Sequence, residues 1–116
     1  MTLRERQVAD VTILDIEGRI AIQDGAEMLR EVVRQLVAMS RVKLVLNLQS
    51  VPYIDSTALS EIIRTYLSVT RRSGGLKLLH VTPRIHELLT ITKLLSVFDL
   101  FDDEAEAVKS FGASLH

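Results

Sequence analysis

Residues 42–67 read VKLVLNLQSVPYIDSTALSEIIRTYL, and this stretch decides the fold. Its first part, 42–48, is a mostly apolar run of strand length. After a short turn, the apolar residues recur at helical spacing; they are Ala58, Leu59, Ile62, Ile63, Tyr66 and Leu67. The stretch therefore predicts a buried strand and then an amphipathic helix, which begins at Ser56 and ends near Ser73, where Gly74-Gly75 supplies a stop.

Strand and helix patterns alternate on both sides of this unit. The predicted strands are, in chain order, 4–9, 11–16, 42–48, 76–81 and 100–101. The predicted helices begin at Asp24 or Gly25, at Ser56, at Pro83 with Thr82 as its cap, and after Asp102. Alternation of this kind is typical of parallel strands joined by right-handed crossovers, and a turn at Ala9-Asp10 adds an antiparallel hairpin. We therefore predict an α/β fold with a mixed, mostly parallel β-sheet of about four or five strands and about four or five α-helices.

Size and composition restrict the class of protein. The chain has 116 residues, which suits one domain, and we expect residues 1–116 to form it. Fourteen Lys and Arg against fifteen Asp and Glu give a net charge of −1, so charge provides no reason to expect nucleic acid or a membrane as a partner. The chain has no cysteine, and its charged N-terminus lacks the apolar core of a signal peptide. We therefore expect a cytoplasmic protein.

The motifs of common enzymes and metal sites are missing from the sequence. The three histidines, His80, His86 and His116, do not form an H-E-x-x-H pattern. There is no phosphate-binding glycine loop and no G-x-S-x-G elbow. We therefore expect no catalytic residue, no bound cofactor and no metal.

The run Asp55-Ser56-Thr57 lies at the predicted start of the central helix. All three residue types are good helix caps, so capping alone would explain their presence. Asp55 is the better cap, and its carboxylate is expected to accept a hydrogen bond from the N–H of Thr57 or Ala58. Ser56 would then be the first helical residue, with its hydroxyl at the carboxyl-end rim of the sheet, where α/β proteins bind ligands and partners. These residues leave capping and phosphate attachment open as alternatives.

The run Val51-Pro52-Tyr53-Ile54-Asp55-Ser56-Thr57-Ala58-Leu59 resembles the phosphorylation motif of STAS domains, the anti-sigma factor antagonists of bacteria. In that family the motif is roughly aspartate, serine, serine or threonine, glycine and an aliphatic residue. The resemblance extends over essentially the whole chain. Its further matches are Gly18-Arg19-Ile20, Leu46-Asn47-Leu48, Gly74-Gly75, Thr82-Pro83 and Val97-Phe98-Asp99.

The resemblance implies that the protein works by partner switching. The unphosphorylated antagonist binds an anti-sigma factor of the serine-kinase type, and the sigma factor is released. The kinase, which binds the ATP, phosphorylates the motif serine, and the complex dissociates until a serine phosphatase restores binding. The phosphoacceptor here would be Ser56, with Thr57 as second choice, and the partner interface would add Tyr53, Asp55, Ala58 and Leu59.

Two residues depart from the pattern of the family. Ala58 stands where the family usually has glycine, and its methyl group could obstruct the close approach of a kinase. Many relatives also carry an aspartate shortly after the first turn, where this chain has Ala21 and the nearest carboxylate is Asp24. The alternative hypothesis is therefore a STAS scaffold or sensor subunit of a larger signalling assembly, without a phosphorylation cycle at Ser56.

Overall fold

The computed structural model describes residues 2–18 and 22–112, and it contains the predicted alternation of strands and helices. The strands are β1 (Thr2–Val8), β2 (Val11–Glu17), β3 (Lys43–Ser50), β4 (Gly75–Leu79) and β5 (Asp99–Phe101). The helices are α1 (Ile22–Ala38), α2 (Ser56–Thr70), α3 (Pro83–Ile91) and α4 (Glu104–Gly112). The predicted α/β fold with a mixed sheet is confirmed, and the element boundaries move by only a few residues.

The strands lie in the sheet in the same order as in the chain, β1-β2-β3-β4-β5. β1 and β2 form the predicted antiparallel hairpin, with Val8 opposite Val11, and the remaining neighbours are parallel. The connecting helices α1, α2 and α3 all pack on one face of the sheet, as expected for right-handed crossovers that advance in the same direction. The opposite face is left to α4.

The core therefore has two layers of unequal size. The larger layer lies under α1, α2 and α3, where inward residues such as Leu46, Leu78 and Ile62 are fully buried. The smaller layer lies under α4, where Ala107 packs against Ile13, Val45 and their neighbours. β3 is buried on both faces, as its apolar sequence predicts.

The buried face of α2 is rotated relative to the prediction. Leu67, expected in the apolar stripe, is 43% exposed, whereas the polar residues Glu61 and Thr65 are buried. These two residues lie on the side of α2 that faces α1, and the Glu61 carboxylate pairs with Arg30 at 3.6 Å and with Arg64 at 3.7 Å. The hydroxyl of Thr65 donates a hydrogen bond to the backbone carbonyl of Glu61 at 2.9 Å, which makes its burial possible.

Helix α2 ends near the predicted position, but Gly74 has a different role from the one that the sequence predicted. The helix ends at Thr70, and the left-handed residue after it is Ser73, with a φ of 65°. Gly74 donates its N–H to the carbonyl of Val69 at 2.7 Å. A Cβ atom at Gly74 would overlap the carbonyl oxygen of Val42 and lie 2.5 Å from the Cβ atom of Val42. Gly74 is therefore required for close backbone packing rather than for a left-handed conformation.

A polar network crosses the face of the sheet beside α4. Arg6 of β1 donates to Asp15 of β2 at 3.0 Å and to Glu104 of α4 at 2.8 Å. Asn47 of β3 also donates to Asp15, at 2.8 Å. The pKa of the Asp15 carboxyl lies below its usual range. The hydrogen bond from Arg6 lowers it most, and the hydrogen bond from Asn47 lowers it further. The network thus ties the N-terminal hairpin to the helix on this face.

Gly18 and Thr82, which the sequence analysis named, lie outside the strands. Gly18 ends β2 with a φ of 91° and donates its N–H to the carbonyl of Ser50 at 2.9 Å, as suits a glycine-dependent turn. Thr82 occupies the cap position of α3 but makes no side-chain hydrogen bond to a helix N–H; its hydroxyl instead lies 3.5 Å from the carbonyl of Val51. Arg19, Ile20 and Ala21 lie outside the described residues.

Candidate functional site

The Asp55-Ser56-Thr57 run lies beyond the carboxyl end of β3, where the chain enters α2. Asp55 is the N-cap residue, with extended backbone dihedrals, and its carboxylate accepts a hydrogen bond from the N–H of Ala58 at 2.8 Å. The carbonyl of Asp55 accepts the first helical bond, from the N–H of Leu59 at 2.9 Å. The predicted cap is therefore confirmed, and Ser56 is the first residue of the helix.

The motif residues divide into an exposed group and a buried group. Ser56 and Thr57 are exposed, and Tyr53 is 37% exposed, so these three side chains are accessible from outside. Asp55 is half-buried, while Ala58 is 0% exposed and Leu59 is also buried in the core. The accessible surface of the motif therefore contains fewer residues than the sequence analysis predicted, because Ala58 and Leu59 are buried between helix α2 and the sheet.

The exposed hydroxyl of Ser56 lies at the positive end of the α2 dipole. The first turn of α2 contains no acidic residue, and the capping Asp55 places a carboxylate next to Ser56 in the chain. Backbone N–H groups at a helix start and the dipole together favour a negative charge. The position is therefore able to carry a phosphate without disturbing the core, which Ala58 and Ile54 occupy beneath it.

A groove runs beside the motif, between the start of α2 and helix α3. Its volume is about 260 Å³. It is lined by Tyr53, Ile54, Asp55, Ser56, Leu59, Arg84, Ile85, Glu87, Leu88, Ile91 and Thr92. Ile91, at the end of α3, is 71% exposed and forms part of the rim. The guanidinium carbon of Arg84 lies over the ring of Tyr53, 5.0 Å from its centroid.

Sequence analysis did not identify Arg84 and Ile91 as residues of the site. One local signal was available for Arg84, because a cation in the first turn of a helix opposes the dipole and requires some other explanation. Ile91 gave no signal, since an isoleucine near the end of an apolar helix is normally a core residue. Both residues join the motif only through the packing of α3 beside α2.

The other residues considered in the sequence do not form a site. His80 follows β4 with a φ of 56°, His86 is exposed on α3, and His116 lies outside the described residues. Within 2–18 and 22–112, no group of three His, Asp or Glu residues is placed to hold a metal ion. No helix in the same part of the chain is long and apolar enough to cross a membrane.

Comparison with known proteins gives a family for this fold and motif. The family model of the STAS domain matches residues 3–107. An anti-sigma F factor antagonist from Paenibacillus polymyxa is 28% identical over 65 residues, which are 56% of this chain and 56% of that protein. The match therefore spans just over half of the length of this curated relative.

Two solved structures share the fold. A candidate anti-sigma factor antagonist from Thermotoga maritima superposes with a TM-score of 0.88, at 24% identity over 94% of this chain and 93% of the other. The Bacillus cell fate determinant SpoIIAA, solved in its phosphorylated form, gives a TM-score of 0.76 at 14% identity, over 94% of this chain and 98% of the other. At these identities the similarity establishes a common fold.

Proposed function

This chain belongs to the STAS domain family, and we propose that it is an anti-sigma factor antagonist that acts by partner switching. The unphosphorylated chain binds an anti-sigma factor of the serine-kinase type, which then releases its sigma factor. Phosphorylation of Ser56 abolishes this binding, and a serine phosphatase restores it. The curated relative from Paenibacillus polymyxa, an anti-sigma F factor antagonist, supports this assignment.

The observation that carries the proposal is the exposed hydroxyl of Ser56 at the first position of α2. A kinase can reach this hydroxyl, and the helix start stabilises the phosphate that it receives. Phosphorylation adds about −1.5 to −2 charges and three acceptor oxygens. A partner that covers Ser56 has to remove water from this charge, and Asp55 already contributes a carboxylate beside it. The switch therefore requires no change of fold.

The remaining features of the proposal follow from the same mechanism. In this mechanism ATP is bound by the kinase partner, and we propose no enzymatic activity and no cofactor for this chain. We expect it to act in the cytoplasm, where sigma factors meet RNA polymerase, as one STAS domain over residues 1–116. The partner contacts the exposed side chains of Tyr53, Ser56 and Thr57.

Burial of Ala58 favours the antagonist over the scaffold hypothesis. The methyl group that replaces the usual glycine of the family is directed into the core, where its residue is fully buried. It therefore leaves the surface that a kinase contacts unchanged. The second departure from the family pattern, at Ala21 and Asp24, involves side chains outside the described part of the chain.

Phosphate mapping tests the proposed function directly. Incubation with the cognate anti-sigma factor kinase and ATP is expected to add one phosphate, which fragment mass spectrometry places on Ser56. Ser56→Ala should abolish incorporation, and Thr57→Ala should retain it as the matched control. Phosphate on a residue other than Ser56 or Thr57 would refute the assignment of the phosphoacceptor.

Ala58→Gly is expected to reduce the stability of the protein without changing its phosphorylation. Glycine lowers helix stability by about 0.5–1 kcal/mol, and loss of the buried methyl group adds about 0.8 kcal/mol. The free energy of unfolding should therefore fall by about 1–2 kcal/mol in urea titrations. The rate of phosphate incorporation should remain within about twofold of wild type, because the methyl group does not face the kinase.

Ser60→Gly is the matched control for this experiment, since Ser60 is exposed on the same helix. Its free energy of unfolding should fall by about 0.5 kcal/mol, because this variant loses helix propensity but no buried methyl group. A large gain in phosphorylation rate for Ala58→Gly would mean that the methyl group restrains the kinase. That result would favour the scaffold hypothesis.

A further inference from the structure

Arg84 and Ser56 face the same groove from two different helices. Ser56 begins α2, Arg84 lies in the first turn of α3, and both line the groove of about 260 Å³ between the helices. Tyr53 lines the same groove, and the guanidinium carbon of Arg84 lies 5.0 Å from its ring centroid. The tyrosine ring thus holds the arginine side chain at the wall of the groove that contains the proposed phosphoacceptor.

The guanidinium of Arg84 has unused hydrogen-bonding capacity. Among the described residues, no acceptor forms a hydrogen bond or an ion pair with Arg84. The guanidinium group instead lies over the ring of Tyr53. An arginine that rests on a ring keeps its N–H donors directed sideways, where they can still bind an anion. A cation in the first turn of a helix is also unfavourable, and an anion bound to it would remove that cost.

The charges around the groove favour a basic side chain as a second partner for a phosphate on Ser56. The acidic residues that line the groove are Asp55 and Glu87, and Arg84 is the only basic residue among the described residues that line it. A phosphate of about −1.5 to −2 charges added to Ser56 therefore enters a region with two carboxylates. Among the described residues that line the groove, Arg84 is the basic side chain that can offset this repulsion.

We propose that Arg84 binds the phosphate group once Ser56 is phosphorylated, forming a phosphoserine–arginine contact that bridges α2 and α3. This inference rests on the proposed phosphorylation of Ser56. Arginine suits the role because its fork of N–H donors can bind two phosphate oxygens at once, in charge-assisted hydrogen bonds. The contact would close the mouth of the groove and engage the guanidinium of Arg84. The anti-sigma factor could then bind neither the groove nor Arg84. Phosphorylation would then act on the partner surface in two ways, by adding charge and by reorganising the groove.

The titration of the phosphate in ³¹P NMR tests this contact. Phosphoserine is incorporated at position 56 by genetic code expansion, so that the sample does not depend on any kinase. In the otherwise wild-type chain, the Arg84 contact should hold the second pKa of the phosphate below that of a free phosphoserine, which is about 6. Arg84→Ala should raise this pKa by about 0.5, which is about a threefold change in proton affinity.

Two further variants separate a direct contact from a general effect of charge. Arg64→Ala removes an exposed arginine from α2 that lines a different groove, between α1 and α2, and it should leave the titration unchanged. Arg84→Lys keeps the charge but loses the two-pronged donor, and its titration should lie between wild type and Arg84→Ala. Thermal melts of the variants should agree closely, because Arg84 is exposed.

The outcomes decide the proposal. A raised pKa in Arg84→Ala and an unchanged one in Arg64→Ala support the contact. Identical titrations in wild type and Arg84→Ala, or equal shifts in the two alanine variants, overturn it. Phosphate mapping with the kinase reports separately on the proposed function, so the failure of either idea can be recognised without the other.

Discussion

Ser56→Asp is expected to weaken binding to the anti-sigma factor by about a hundredfold, while Ser56→Ala binds like the wild-type chain. A fixed negative charge at Ser56 must lose its water when the partner covers it, and Asp55 beside it adds repulsion. If this mismatch costs about 3 kcal/mol, the dissociation constant rises by about two orders of magnitude. Alanine removes only an exposed hydroxyl, because Asp55 provides the cap.

Isothermal titration calorimetry with the purified anti-sigma factor measures this difference. Ser73→Asp is a matched control, since it makes the same change at an exposed serine beyond the other end of α2. It should bind within a few-fold of wild type. Equal affinities for wild type, Ser56→Ala and Ser56→Asp would contradict the antagonist proposal and favour the scaffold hypothesis. Aspartate carries a single charge, so the protein with phosphoserine at this position should bind more weakly still.

Gly74→Ala is expected to give the largest loss of stability among the substitutions considered. The added Cβ atom would overlap backbone atoms of Val42, which belong to the chain entering β3 and cannot rotate away as a side chain does. Overpacking of this kind typically costs about 1–3 kcal/mol, and we expect a value near 3 kcal/mol because the backbone itself has to move. The N–H of Gly75, which bonds to the same Val42 carbonyl at 2.9 Å, would be displaced with it.

Gly75→Ala is the control that the chain itself provides. A Cβ atom at Gly75 would lie 3.1 Å from a ring carbon of Phe111, and a ring can shift by a few tenths of an ångström. We therefore expect a loss below about 1 kcal/mol for Gly75→Ala. Urea unfolding curves of the two variants measure the contrast. Equal and small losses would mean that the backbone at Val42 adjusts easily, contrary to the close packing described above.

Local chemistry explains why much of the fold could be predicted from sequence. The hairpin at Ala9-Asp10, the buried strand β3 and the capping of α2 by Asp55 each depend on residues within a few positions of one another. The capping geometry in particular follows from the side chain and backbone of one turn. These features do not require knowledge of what packs against them; the turn and the cap were predicted at the correct residues, and β3 within two residues of its observed ends.

Features that depend on tertiary packing could not be predicted in the same way. The buried Glu61 and exposed Leu67 reflect the angle at which α1 meets α2, and a helical period alone does not give that angle. The role of Gly74 depends on the approach of Val42, which lies far away in the sequence. The groove next to Ser56 likewise exists only because α3 packs beside α2, which is why Arg84 was not identified from the sequence.

The strand order has a consequence for how the chain folds during synthesis. Each strand pairs with the strand that precedes it in the chain, so the sheet can grow in one direction without waiting for distant segments. The exception is the packing of α4 against the early strands, which includes the ion pair between Arg6 and Glu104, 98 positions apart. We therefore expect this contact to form last, when α4 docks and brings one of the earliest synthesised strands together with one of the latest helices.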